Sequence, residues 1–131
     1  TNAIAMGFEA GVDFRDVPPT TVEISNSVMF GNSVENVAYV EDKPESDLAA
    51  PDEDDDGAFD EIAWFEEGTG NTTTDPGISG CFEKTPNPLP AAMIEGGAPV
   101  GSGADSAATF VGAFKDSSDN WLDGWTAWSA D

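Results

Sequence analysis

The sequence has no histidine, one cysteine and four basic residues, Arg15, Lys43, Lys84 and Lys115. Without His the commonest catalytic base and the commonest transition-metal ligand are both missing. Ser–His and Cys–His nucleophile pairs are excluded within the chain, as are zinc sites that need imidazole. Cys81 has no intrachain partner; it reads as a buried thiol or as one that pairs with another chain or with an upstream segment. No apolar run approaches the ~20 residues of a membrane span. The chain opens at Thr1 rather than Met and shows no leader pattern, which reads as a mature, processed or excised piece. The shortage of bases also leaves a net charge of −22. Nucleic acid and anionic membranes repel such a surface, so neither a nucleic-acid partner nor a membrane span is expected.

What is present is one domain's length, 131 residues, with eight Phe and four Trp. That aromatic content argues for a packed core in spite of the acidity. The charge suits a high-salt or calcium-containing medium, where screening and ion binding offset self-repulsion.

The acidity peaks at Asp52-Glu53-Asp54-Asp55-Asp56-Gly57-Ala58-Phe59-Asp60-Glu61, with seven carboxylates in ten residues. The order is D-x-D-x-D-G-x-x-D, the first nine positions of an EF-hand-like calcium loop. Asp52, Asp54 and Asp56 can converge on one hard cation. Gly57 allows the turn that brings in the carbonyl of Ala58, and Asp60 closes from the far side, often through water. Position 12 falls on Ala63, where a bidentate Glu is usual, so Glu61 or a distant carboxylate has to complete the shell. The competing reading is a solvated acidic loop, since Asp-rich runs produce D-x-D-x-D easily.

Elsewhere the pattern is that of short strands. Residues 1–20 read as strand pieces broken by Gly7 and Gly11, and Thr21-Val22-Glu23-Ile24-Ser25 alternates polar and apolar. Val28-Met29-Phe30 runs on after an Asn26-Ser27 corner, with Ile24, Val28 and Phe30 expected inward. Residues 41–67 form an acidic excursion, anchored at its end by Trp64 and Phe65. In 68–106, a Thr run reads as an edge strand or an O-glycan acceptor, and Asn71-Thr72-Thr73 fits an N-glycan sequon. The Pro- and Gly-rich part after residue 85 reads as an extended wrap over a sheet edge. Residues 107–131 read as two strands, 107–114 and 121–128, around a polar loop. Trp121, Trp125 and Trp128 most simply cap an open core; a sugar-stacking platform is the alternative.

Val22-Glu23-Ile24-Ser25-Asn26-Ser27-Val28-Met29-Phe30-Gly31-Asn32 resembles the "I-x-N-S-I-x-x-x-N" coils of right-handed parallel β-helix proteins on bacterial surfaces, with Asn26 and Asn32 at the corners. Thr74-Asp75-Pro76-Gly77-Ile78 looks like the "D-P-x-[FLI]" segment that often follows. Phe110-Val111-Gly112-Ala113-Phe114 and Trp121-Leu122-Asp123-Gly124-Trp125-Thr126 resemble the "Y-V-G-A-F … W-x-x-G-W" tails of secreted β-helix-containing proteins. The resemblance covers about half the chain; one coil is clear where a solenoid repeats every ~20–25 residues. It implies an all-β fold: a short right-handed parallel β-helix (solenoid) end, residues 1–40, with the acidic loop inserted and an aromatic cap closing it.

The function expected on these grounds is structural: a calcium-stabilised extracellular module, secreted or at the cell surface, without catalysis of its own. It would dock on other protein chains, self or upstream coils, through an open end near Thr1 that exposes Ile4, Met6 and Phe8. The alternatives are a carbohydrate-binding module of lectin type, using calcium and the Trp cluster, and a polysaccharide-processing β-helix. For the latter, acids such as Asp13, Asp75 or Asp105 are too numerous for any pair to stand out. Lys and Arg are too few to stabilise an enolate-like charge.

Overall fold

The computed structural model describes residues 1–8, 11, 12, 14, 20–32, 59–98 and 105–124. Its regular elements are β1 (Ile4–Ala5), β2 (Val28–Met29) and α1 (Glu61–Glu67). β1 and β2 run parallel, with Ile4 opposite Val28 and Ala5 opposite Met29. On its other side Val28 forms a parallel bridge with Thr72. The Thr72 N–H donates to Ser27 at 2.9 Å and its carbonyl accepts from Met29 at 3.1 Å. The order across the ladder is therefore β1, β2, Thr72.

The first two rows repeat each other at a fixed offset. Thr1 and Ser25 share a hydroxyl–hydroxyl bond, the Ala3 N–H donates to Ser27 Oγ, and the Phe8 N–H donates to Asn32 Oδ1, each across 24 residues. The backbone turns alike in both. Asn2 (φ 60°) and Asn26 (φ 47°) are left-handed, and Gly7 (φ 78°) and Gly31 (φ 66°) are left-handed five residues later. Asn tolerates this conformation better than other side chains because its amide bonds locally. At the matching corner of the third row stands Gly70 (φ 71°), where a Cβ would collide with the Asn26 amide. The aligned segments, Thr1-Asn2-Ala3-Ile4-Ala5-Met6-Gly7 and Ser25-Asn26-Ser27-Val28-Met29-Phe30-Gly31, thus share one backbone pattern at a 24-residue offset.

β2 is buried on both faces: Val28 is 2% exposed and Met29 4%. Ile24 and Phe30 are half-buried. Alternation would leave Met29 outward, but α1 covers that face, and Met29 packs with Phe65 while Ala5, Val12, Ile24, Ile62 and Trp64 close around them. A central parallel strand covered on both sides needs no polar face.

α1 lies where the sequence reads only as an anchor for the acidic excursion. At seven residues it is too short to stand alone. Asp60 starts it as N-cap, its carboxylate accepting the Ala63 N–H at 2.8 Å, and Glu61 adds an acid in the first turn, which favours the helix dipole. Gly68, in extended backbone, ends it with its N–H on the Phe65 carbonyl at 3.1 Å. Full burial of Phe65 holds α1 in place, worth about 2–3 kcal/mol by area.

The later chain is built from bends. Residues 107–114 carry one antiparallel bridge, Glu95 with Phe110, in place of a continuous strand. The left-handed Gly112 (φ 92°) breaks the run. Residues 121–124 form a turn, and the remainder of the expected return strand lies outside the described residues.

Candidate functional site

Of the expected calcium ligands, Asp52, Asp54, Asp56 and Ala58 lie outside the described residues; Asp60 is within them. Asp60 is exposed, with Oδ1 committed to the Ala63 N–H. Its second oxygen has no protein partner among the described residues and remains available to a cation or water. Glu61 cannot easily swing out to complete a shell. It is 6% exposed, and its Oε1 accepts the Phe14 N–H at 3.1 Å. That bond ties residue 14 to the start of α1. Beside it, Phe14 meets Trp64 edge-on at 5.0 Å and Phe59 edge-on at 6.0 Å. This aromatic cluster fixes the far end of the loop on the core. Among the described residues no three His, Cys, Asp or Glu side chains converge on a metal position.

The end near Thr1 is less open than an unpaired edge. Asn2 hooks it to the later chain: its Nδ2 donates to the carbonyls of Gly97 (2.9 Å) and Ala108 (3.1 Å), and its Oδ1 accepts the Gly97 N–H at 2.8 Å. Its own carbonyl accepts the Gly112 N–H at 2.9 Å. Ile4 and Met6 are half-buried, and a Cβ on Gly112 would press on the end of Ile4. Phe8 is 63% exposed, next to Gly7 and the equally open Phe82.

At the expected cap, Trp121 is 56% exposed and the other two, Trp125 and Trp128, lie outside the described residues. Trp121 is held by a bond from its indole N–H to the Ala113 carbonyl (2.9 Å) and by stacking on Phe114 at 5.4 Å. Thus one ring face covers Phe114, itself 6% exposed. A shallow cleft of about 300 Å³ opens nearby in sequence, between Thr85–Leu89 and Asn120, Leu122 and Asp123.

The acids weighed for catalysis have local work. Asp75 and Asp105 each accept the N–H of the residue two positions on, Gly77 and Ala107. Asp13 lies outside the described residues. Cys81 is a half-buried free thiol.

Asn71, which opens the sequon, has a structural role that the sequence does not announce. As a sequon it would present its amide to solvent. Instead Nδ2 donates to the carbonyls of Ile24 (2.9 Å) and Phe65 (2.8 Å), while Oδ1 accepts the Ser27 N–H at 3.1 Å. One side chain thereby joins the second row, the third row and the end of α1, and a glycan on Nδ2 would disrupt that junction. The signal that would have found the rows is the pairing of Asn2 with Asn26, Ile4 with Val28 and Gly7 with Gly31 at one offset. No protein-family model, curated protein or solved structure matches the chain.

Proposed function

We propose that this chain is a structural and interaction module of an extracellular or cell-surface assembly, a short parallel β-solenoid end stabilised by calcium in its acidic insertion. The observation that carries the reading is the recurrence of one backbone pattern at a 24-residue offset, with parallel pairing and left-handed corners. Each such unit buries its faces only against a neighbour, so a stack of few units presents ends that other chains can extend. The exposed Phe8 and Phe82 offer apolar contact at one end. The calcium part of the reading is supported by the Asp spacing and by α1, which starts directly after Asp60. A helix leaving the loop is a component of helix–loop–helix calcium sites. No catalysis is assigned to the module.

Binding to the folded state alone makes stability rise with free calcium by mass action. Thermal melts of the whole chain with chelator and with excess calcium are expected to differ by several degrees. The double substitution Asp54→Asn with Asp56→Asn is expected to abolish the difference. Equal midpoints for the unaltered chain would remove calcium from this proposal.

A further inference from the structure

We propose that the outer edge of the third row, at Thr73, takes up an extended peptide segment with an uncharged centre and Lys or Arg at its ends. This rests on the interaction role above and names the edge through which that role runs. Thr72 spends both backbone groups on β2. Strand alternation then turns the N–H and C=O of Thr73 the other way, and among the described residues neither has a partner. The opposite side of the ladder is partly closed, since Asn2 bonds to Gly97, Ala108 and Gly112.

Thr73 is half-buried, but among the described residues its edge carries none of the usual protection. Edge strands are normally blunted by Pro, by charge or by a covering segment. Thr69-Gly70-Asn71-Thr72-Thr73-Thr74 has no Pro and no charge, and its β-branched Thr residues suit extended backbone. Acids flank this neutral run, exposed Glu66 and Glu67 before it and exposed Asp75 after it. A second copy would bring the same acids and another −22 charges to the contact. A strand with basic ends places opposite charge against them while its centre bonds to Thr73. The row is short: the Thr74 N–H turns back to Thr72 Oγ1 at 3.1 Å. The added strand therefore gains few backbone bonds, and its binding is weak and salt-sensitive.

The test uses the full chain in calcium buffer at low salt, with fluorescence anisotropy of the labelled peptide Lys-Lys-Thr-Val-Thr-Val-Lys-Lys. Binding is expected, with an affinity loss of about tenfold on Thr73→Pro, which removes the outward N–H and leaves the Thr72 bonds in place. The same peptide with N-methylated Val residues is expected to lose a similar factor on the unaltered chain, which decides the matter if Thr73→Pro misfolds. A peptide with Glu in place of each Lys is expected not to bind. No binding of the basic peptide, or equal binding of its N-methylated form, would overturn the edge assignment. Dimers of the unaltered chain by light scattering, lost on Thr73→Pro, would instead make a second copy the occupant and overturn the basic-peptide assignment. The calcium-dependent melt is read on the chain alone, so failure of this edge is distinguishable from failure of the module's wider role.

Discussion

The ladder with its helix and the later chain from residue 74 onward use different polar side chains for different distances. In the ladder, hydroxyls of Thr1, Ser25 and Ser27 join the first two rows, and the longest reaches are made by amides. Asn2 spans 95 and 106 residues to reach Gly97 and Ala108, and Asn71 spans 44 and 47 to reach Ser27 and Ile24. In the later chain carboxylates dominate and act locally: Asp75, Asp105 and Asp116 each accept the N–H two residues on, as Asn87 does. Asp119 reaches back four residues to the Lys115 N–H. An amide donates and accepts, so it can stitch one backbone row to another. A carboxylate only accepts and is costly to bury, so it serves exposed turns and caps. Asp60, Asp75, Asp105, Asp116 and Asp119 are thus used in caps and turns without placing charge in the ladder. Among the described residues Glu61 is the buried exception, and it sits at the margin where α1 meets Phe14.

The largest effect is expected where both kinds of bonding depend on packing. Phe65→Ala opens a cavity between α1 and Met29 and is expected to cost about 3–5 kcal/mol in denaturant unfolding. A loss under 1 kcal/mol would mean that α1 is not held by this contact. Next comes Asn71→Ala, which strands the Ile24 carbonyl and the Ser27 N–H, leaves the Phe65 carbonyl with Gly68 alone, and is expected to cost about 2–3 kcal/mol. Asn71→Asp sharpens the comparison, because it keeps the acceptor and deletes both donors. If it is as stable as the original chain, the argument that rows require amides fails. Asp60→Ala removes the α1 cap, with an expected loss of about 1 kcal/mol. Asp105→Ala, in a local turn, is expected to cost well under that; a loss matching Asn71→Ala would erase the distinction between the regions.

The smallest effect is one of pH. The Ser118 hydroxyl, then the Ser118 N–H and more weakly Lys115, hold the Asp116 carboxyl below its ordinary value against slight desolvation. A lowered folded-state value means that the contribution is present above the ordinary carboxylate range and is lost as pH falls through the lowered value. Carboxyl NMR titration is expected to return Asp116 toward the ordinary value in Ser118→Ala; no movement would mean that Ser118 does not hold it.

Much of the local organisation was legible in the residues themselves. Asp-x-Gly at 75–77 specifies its turn, because a carboxylate next to a free N–H has a partner without any help from the fold. The lack of His likewise removes imidazole-based chemistry from this chain before any folding. Tertiary structure decided the rest. That Ile62–Phe65 is helical depends on Met29, more than thirty residues earlier, since seven residues cannot sustain a helix alone. That Asn71 is a junction and Asn87 a simple turn residue follows from which backbone passes beside each. Parallel rows impose no short-range periodicity, and loop closure between them leaves no trace in spacing except a faint match at 24 residues. Which Thr in 72–74 faces inward, and which edge remains to be paired, exists only once β2 lies between β1 and Thr72.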